Sequence, residues 1–259
     1  MSCEPLRPFW NYYGGKSKNS DFYPAPDYDT IVEPFCGAAG YSIRYYRKRV
    51  ILFDMHPKVA ATWEYLINTP SEEIRKLPIV TNVADLPTWV PEGARYLIGF
   101  NMNTGIAEPA NRLSKVHREN RELKDYESGW GEPHRELCAW QADLIRHWKI
   151  TQGDYTIAPD VEATWFIDPP YANSSGRQYR FHDVDYPALG EWCRARKGQV
   201  MVCENEGATW LPFDRWLTAK PSINKGAQMK EQRSREAMWT NHPEFDVSVL
   251  PSGRLRVRL

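Results

Sequence analysis

Three short apolar runs, each ending in an acidic residue, constrain the fold of this chain more than any other feature. They occupy residues 29–33 (DTIVE), 50–54 (VILFD) and 163–168 (ATWFID), and end in Glu33, Asp54 and Asp168. Helical stretches are expected at residues 41–49, 57–68 and 187–196, and a further strand at 199–203. This alternation is typical of a parallel sheet with helices packed on it. We therefore expect an α/β fold.

The segment from residue 70 to residue 149 departs from this alternation. Prolines interrupt it, residues 111–124 form a charged stretch, and residues 134–149 carry apolar side chains at helical spacing. We expect residues 70–149 to form an inserted, mainly helical domain within a domain made of residues 1–69 and 150–259. Residues 216–259 are expected to supply late strands of the sheet, with a mobile loop at residues 225–235.

The charge balance and the cysteines narrow the class of protein. The chain has 33 basic and 33 acidic residues, whereas a protein that coats nucleic acid non-specifically is usually strongly basic. Its five cysteines include no C-x-x-C pair and its six histidines no H-x-x-x-H pair, so we expect no disulfide framework and no metal. Without a signal peptide or a run of about 20 apolar residues, we expect a cytoplasmic protein with no membrane association.

The tetrapeptide Asp168-Pro169-Pro170-Tyr171 ends the third apolar run. Two consecutive prolines remove two backbone donors, so the strand ends there and Asp168 lies at the carboxyl edge of the sheet, where α/β folds bind ligands. The Asp168 carboxylate and the Pro169 carbonyl can accept both N–H groups of an exocyclic amine. The Tyr171 ring can stack on a base that has been rotated out of a duplex. The alternative is an ordinary turn that ends a strand.

Two further turns indicate a nucleoside-like ligand. Residues 33–40 (EPFCGAAG) form a glycine turn, but its spacing is not that of a pyrophosphate site and Glu33 would repel an anion. Asp54 ends the second run, where an acid accepts hydrogen bonds from ribose hydroxyls, or else caps the next helix. Residues 11–16 (NYYGGK) place Lys16 after a tight turn, either beside an anionic group or in an exposed loop.

In this order, these elements resemble the Dam-type DNA adenine methyltransferases of bacteria and bacteriophages. The resemblance rests on residues 12–16 (YYGGK), 32–37 (VEPFCG), 153–155 (GDY), Asp54 and the Asp168–Tyr171 turn. It implies a Rossmann-like, S-adenosylmethionine-dependent methyltransferase fold with an inserted target-recognition domain for double-stranded DNA. The implied catalytic residues are Asp168, Pro169, Pro170 and Tyr171. The implied cofactor-binding residues are Tyr12, Lys16, Glu33, Phe35, Gly37, Asp54, Asp154, Tyr155 and Asp168.

The resemblance also suggests individual roles. Asp54 would hold the ribose of the cofactor and Asp154 its adenine. Basic residues of the insert would contact DNA phosphates, unless they form a solvated charged face: Arg112, Lys115, Arg118, Arg121 and Lys124. The chain departs from the family at Ala39, where a second glycine is usual. Residues 100–105 (FNMNTG) match too weakly to imply recognition of GATC.

Several alternatives stay open at this point. Cytosine N4 and adenine in RNA present the same pair of amine donors, so either can be the target. A methyltransferase acting on a glutamine amide and a catalytically inactive DNA-binding module of the same fold are further alternatives. The sequence does not distinguish a restriction–modification enzyme from a free-standing bacteriophage enzyme. A monomer with no obligate protein partner is the simplest expectation.

Overall fold

A mixed sheet forms the centre of this computed structural model, which describes residues 4–17, 19–120, 129–217, 236–242, 246–249 and 255–258. Its strands are β1 (Thr30–Glu33), β2 (Arg49–Asp54), β3 (Lys149–Gln152), β4 (Ala163–Ile167), β5 (Gly198–Asn205), β6 (Arg215–Leu217) and β7 (Glu236–Thr240). They are arranged in the order β3-β2-β1-β4-β5-β7-β6. The first five run parallel, whereas β7 pairs antiparallel with both β5 and β6. The prediction of an α/β fold is confirmed.

The strand order creates a crevice between β1 and β4. From β1 the chain continues to β2 on one side of the sheet, and from β4 it continues to β5 on the other side. Such a reversal leaves an opening at the carboxyl ends of the two central strands, where α/β sheets bind ligands. Glu33 ends β1, Asp54 ends β2, and Asp168 follows β4 directly. The topology therefore brings the three strand-ending acids to one edge.

Helices cover both faces of the sheet because strand side chains alternate between two apolar layers. Ile31 and Leu52 face one layer, and Val32 and Ile51 face the other. The helices are α1 (Pro57–Asn68), α2 (Ser71–Arg75), α3 (Glu92–Phe100), α4 (Lys115–Asn120), α5 (Glu132–Ala142) and α6 (Tyr186–Arg194). Two strands, β8 (Asp246–Val249) and β9 (Leu255–Arg258), form a separate antiparallel pair.

Individual residues of α1 explain where the helix begins and which of its faces is buried. Pro57 lies at its start, where a missing N–H costs nothing, and the His56 side chain accepts a hydrogen bond from Lys58 N. Trp63 is fully buried on its inner face, with its ring 5.5 Å from the ring of Phe9 and 4.9 Å from that of Trp10. This aromatic group ties α1 to the N-terminal segment.

The insert at residues 70–149 is mainly helical within its described part, and it shares a core with the sheet. Buried side chains of α3 and α5, among them Phe100 and Cys138, belong to the same apolar cluster as Trp63 of α1 and Ile31 of β1. The helices α3 and α5 therefore pack on the same face of the sheet as α1. The assignment of residues 70–149 to a recognition domain stays a prediction.

Two predicted helices differ from the structure. The helix predicted at residues 41–49 is wrong: the segment holds only a 3-10 helix, Ser42–Tyr45, before β2 begins. Backbone groups that the helix would need bond elsewhere, because Leu6 N donates to the Ile43 carbonyl and Arg49 N donates to the Asp29 carbonyl. The helix predicted at residues 134–149 ends at Ala142, because residues from 149 onward pair with β2 as an edge strand. The loop predicted at residues 225–235 lies outside the described residues.

Candidate functional site

A cavity of about 760 Å³, including the part that opens to solvent, lies at the carboxyl ends of β1, β2 and β4. This volume is in the range of sites that bind small molecules and cofactors. All three strand-ending acids line it: Glu33, Asp54 and Asp168. Tyr12, Lys16, Phe35 and Gly37 line it as well, so the structure brings together seven of the predicted cofactor-binding residues.

The turn after β1 approaches the cavity through its backbone. Gly37 has a φ of 45°, and a Cβ at this position would lie 2.9 Å from the Tyr12 ring. The Gly37 carbonyl accepts a hydrogen bond of 2.8 Å from Trp63 Nε1, which fixes the turn against α1. Ala39 has a φ of 49°, a left-handed conformation that costs an L-residue about 1 kcal/mol and that glycine adopts freely. This backbone explains why a second glycine suits the position.

Asp54 is fixed by backbone donors on both of its oxygens. Oδ2 accepts from Gly37 N at 2.9 Å, and Oδ1 accepts from His56 N at 2.8 Å. Burial raises the pKa of this carboxyl, and these two bonds oppose the shift. Because each carboxylate oxygen has two acceptor sites, Asp54 can still accept hydrogen bonds from ligand hydroxyls in the cavity.

Lys16 is buried against an acid that is distant in sequence. Its ammonium lies 2.7 Å from both oxygens of Asp168 and 3.7 Å from Glu236 Oε1. It also donates to the Gly14 carbonyl at 3.3 Å. Burial alone would lower the pKa of Lys16, but the two carboxylates outweigh it and hold the pKa well above its ordinary value. The alternative of an exposed loop is therefore wrong, and the anionic group beside Lys16 is Asp168.

Asp168 begins a turn that is fixed by hydrogen bonds from Tyr186 and to Glu204. Burial raises the pKa of its carboxyl to about 6, against the opposing effect of Lys16. Tyr186 OH donates to the Pro170 carbonyl at 2.8 Å, and Ala172 N donates to Glu204 Oε2 at 3.1 Å. No hydrogen bond between described residues uses the Pro169 carbonyl. Asp168 lines the cavity, whereas Pro169 is buried and is not among the residues that line it.

Tyr171 packs beside the same ammonium. The Lys16 Nζ atom lies 4.9 Å from the centroid of its ring, at the distance of a cation–π contact. The ring is only partly buried, yet the phenolic oxygen is buried and has no hydrogen-bond partner among the residues that the structure describes. Tyr171 does not line the cavity itself. The structure thus places it against Lys16, the residue that pairs with Asp168.

Glu33 is the most deeply buried of the three acids. Its side chain accepts a hydrogen bond of 2.7 Å from Ser42 N. Burial raises the pKa of the Glu33 carboxyl to about 8, more than the Ser42 bonds lower it. Near neutral pH this side chain therefore carries a proton in the folded protein.

Two predicted cofactor residues lie beyond the cavity wall. Asp154 caps the short 3-10 helix Tyr155–Ile157, where its Oδ1 accepts a hydrogen bond of 2.8 Å from Thr156 N. The Tyr155 ring stacks on Phe35, with the ring centroids 5.7 Å apart. Phe35 itself lines the cavity, so Tyr155 reaches the site only through this ring.

A loop that follows the Asp168 turn covers part of the cavity. Tyr179, Arg180 and Phe181 of this covering loop (residues 172–185) line the cavity. Tyr179 OH donates to the Tyr13 carbonyl at 2.9 Å, and Arg180 pairs with Glu108 at 3.8 Å. The other contacts of Glu108 are at α1, where it binds His56 and Lys58 at 2.8 Å each. The loop is thereby fastened to the N-terminal segment, and through the insert to α1.

The predicted DNA contacts are described only in part. Arg112, Lys115 and Arg118 are exposed: Arg112 precedes α4, Lys115 begins it and Arg118 lies in its last turn. Lys115 pairs loosely with Glu119 at 3.6 Å. Arg121 and Lys124 lie outside the described residues. The stretch that leads to these basic residues passes the cavity, because the Ile106 carbonyl accepts from Tyr13 N at 3.1 Å.

The sequence prediction missed several residues of the site. Glu204 directly follows the apolar run at residues 199–203, which is the same pattern that marked the other strand-ending acids. Glu236 is an acid at the start of a strand that is otherwise mostly apolar. The covering loop has an aromatic pair, Tyr179 and Phe181, soon after the double proline. The residues next to Glu108 in the sequence do not mark it as a site residue, because its role depends on contacts with distant residues.

Comparisons with known proteins do not identify the chain. No protein family and no curated protein sequence matches it. Within the part of the chain that the structure describes, no helix is both long and apolar enough to cross a bilayer. The same residues contain no group of three or more His, Cys, Asp or Glu side chains that could hold a metal ion.

Proposed function

We propose that this chain is an S-adenosylmethionine-dependent methyltransferase that acts on the N6 amine of adenine in double-stranded DNA. The observation that carries the proposal is the arrangement at the sheet edge. Glu33, Asp54 and Asp168 line one cavity, and Asp168 is followed by Pro169, whose carbonyl accepts no hydrogen bond from a described residue. These groups match what a cationic nucleoside cofactor and an exocyclic amine require.

The residues that line the cavity fit the proposed cofactor. When bound, S-adenosylmethionine supplies a methyl group carried on a positively charged sulfonium. The Asp54 and Asp168 carboxylates on the wall favour a cation there. Asp54 is held by two backbone amides and keeps acceptor sites for ribose hydroxyls. Tyr12 and Phe35 provide aromatic surface for the apolar parts of the ligand.

The Asp168 turn supports the proposed target. Asp168 and Pro169 would accept the two N–H groups of the amine, which orients it and stabilises the positive charge that develops on nitrogen. Lys16 bonds to both Asp168 oxygens and so fixes the plane of the carboxylate. Tyr186 and Glu204 form hydrogen bonds with the backbone of the turn. These acceptors are therefore preorganised before the substrate arrives.

The proposed partner is DNA, and the proposed recognition domain is the insert at residues 70–149. Arg112, Lys115 and Arg118 are exposed cations that follow a stretch in contact with the cavity wall at Tyr13. Phosphate contacts from such residues would fix the register of the duplex, while the base itself is presented to Asp168 and Pro169.

The test is methylation of unmethylated genomic DNA with labelled S-adenosylmethionine, followed by mass analysis of the nucleosides. We expect N6-methyladenine from the wild type. Asp168→Ala should lower the rate by roughly 100-fold or more, because one of the two preorganised acceptors is lost. Asp160→Ala is the matched control, because Asp160 is an exposed acid that pairs with Lys197 at the surface. It should methylate DNA at the wild-type rate.

Each other outcome contradicts a stated part of the proposal. N4-methylcytosine would keep the chemistry and overturn the target base. Methylation of RNA in place of DNA would overturn the partner. Tight cofactor binding without methylation of any nucleic acid would overturn the enzyme function and favour a binding module of the same fold.

A further inference from the structure

A series of contacts between buried polar side chains connects Tyr23 to Asp168 through Glu236 and Lys16. Tyr23 OH donates a hydrogen bond to Glu236 Oε1, and the same oxygen lies 3.7 Å from the Lys16 ammonium. Lys16 in turn contacts both Asp168 oxygens at 2.7 Å. Lys16, Tyr23 and Glu236 are all at least nine-tenths buried. Two carboxylates therefore share one ammonium away from water.

The elements that meet here are far apart in the sequence. Lys16 and Tyr23 belong to the N-terminal segment, Asp168 follows β4, and Glu236 begins β7. Glu236 stands opposite Asn205 of β5 and Leu217 of β6 in the sheet, so its position is set by the strand ladder. Tyr23 is held by ring contacts with Phe166 at 4.9 Å and Tyr41 at 6.4 Å.

We propose that Glu236 is a positioning residue that acts through Lys16: by sharing the ammonium with Asp168, it keeps the Asp168 carboxylate a strong hydrogen-bond acceptor for the target amine. This inference rests on the proposed function. If Lys16 faced Asp168 alone, the pair would be a neutral one-to-one salt bridge. With Glu236 present, the three groups have one negative charge in excess when all are ionised. That charge favours the positive charge that develops on the amine nitrogen.

The electrostatics of the cluster agree with this role. Burial is the largest effect that raises the pKa of Asp168 to about 6, and the Glu236 carboxylate raises it further, against Lys16. The other described titratable groups that interact with Asp168 are Glu33, Glu204, Tyr23, Tyr171, Tyr179 and Cys203. Neither Glu33 nor Glu204 forms an ion pair with Lys16 among the described residues, whereas Glu236 lies 3.7 Å from its ammonium.

A purely structural role is the competing explanation. A buried acid–base cluster can join the N-terminal segment to β4 and β7 without any effect on chemistry, and removing one partner of such a cluster is destabilising. A loss of activity alone would not separate the two explanations. The test therefore needs a quantity that depends on the charge of Glu236 and not only on its packing.

The experiment compares Glu236→Gln and Glu236→Asp with the wild type. Glutamine keeps the size of the side chain and an oxygen that can accept from Tyr23, but it removes the charge. Aspartate keeps the charge and withdraws it from Lys16. Two readouts are taken: the single-turnover methylation rate as a function of pH, and a carbon-13 NMR titration of the Asp168 carboxyl without substrate. Glu162→Gln is the matched control. Glu162 is an exposed acid immediately before Ala163, the first residue of β4, whereas Asp168 follows the last residue of that strand.

For Glu236→Gln we expect the Asp168 titration and the acid limb of the rate profile to move together to lower pH, by roughly one unit, because a neighbouring negative charge is lost. The plateau rate should fall on the order of tenfold, while the DNA and cofactor concentrations that give half of the maximal single-turnover rate stay unchanged. Glu236→Asp should shift both profiles in the same direction by less. Glu162→Gln should leave both profiles in place.

The inference is overturned if the Asp168 titration stays unchanged in Glu236→Gln, or if both variants lose rate equally without a shift in pH. Should Glu236→Gln fail to fold, an unshifted Asp168 titration in Glu236→Asp overturns it as well. A wild type that methylates no nucleic acid overturns the proposed function and this inference together. A wild type that methylates DNA while the variants keep its pH profile overturns the inference alone.

Discussion

Replacing Glu33 with glutamine should make the stability of the protein less dependent on pH between about 4.5 and 8. Glu33 is nearly fully buried at the end of β1, where Ser42 N donates to it at 2.7 Å. Burial raises the pKa of this carboxyl from 4.5 to about 8 in the folded protein. A glutamine amide has the shape of the protonated acid and its oxygen can accept the same bond from Ser42. The substitution therefore removes a titration while it keeps the packing.

The sign and size of the expected change in the free energy of unfolding follow from proton linkage. Between these two pKa values the folded state holds one proton more than the unfolded state, so ionisation of the unfolded chain lowers the stability as the pH rises. Each unit of pKa difference corresponds to about 1.4 kcal/mol. From about pH 6 to about pH 9 the wild type should thus lose roughly 3 kcal/mol at Glu33, and Glu33→Gln should lose none of this.

The assay is urea denaturation of both proteins at several pH values across this window. Asp54 and Asp168 also have raised pKa values because of burial, but they titrate in both proteins and cancel in the difference between them. The free energy of unfolding of Glu33→Gln minus that of the wild type should increase with pH and level off above about pH 8. A difference that stays flat across the window would mean that Glu33 is already ionised in the folded protein at neutral pH, and the reasoning from burial would be refuted.

Two further predictions follow from the Asp168 turn and the insert. A Cβ at Gly176 would lie 2.0 Å from the Tyr171 carbonyl, so Gly176→Ala should reduce the free energy of unfolding by about 1–3 kcal/mol and slow methylation; Gly131→Ala, whose Cβ would meet nothing nearer than 3.9 Å, is the control in both measurements. Alanine at Arg112, Lys115 or Arg118 should weaken DNA binding at all sequences alike and reduce the slope of log affinity against log salt by about one per residue. An unchanged salt slope would make these residues an ordinary solvated surface.

The parts of the site that follow a strand could be predicted from the sequence. An apolar run that ends in an acid fixes both the strand and the edge at which the acid lies, which is why Glu33, Asp54 and Asp168 were found together. The glycine turn and the double proline are local in the same sense, because each depends on the backbone of a few neighbouring residues.

The parts that depend on tertiary contacts could not be predicted. Lys16 and Asp168 are 152 positions apart, and the sequence left Lys16 undecided between an exposed loop and a binding site. Its environment follows from the adjacency of β1 and β4 and from the arrival of Glu236 on β7. The helix predicted at residues 41–49 was lost for a similar reason, because the distant Leu6 N bonds to the Ile43 carbonyl that a helix would use, and β2 begins at Arg49.

Under the proposed function, the common core of the insert and the sheet has a consequence for how target specificity can change. Since Phe100 and Cys138 pack with Trp63 and Ile31 in one apolar cluster, residues 70–149 are not a cassette that can be exchanged whole. A transplanted segment would have to match the shape of α1 before it could read any DNA sequence. New specificity in such a protein is therefore easier to reach by substitutions on the exposed surface of the insert than by recombination at its boundaries.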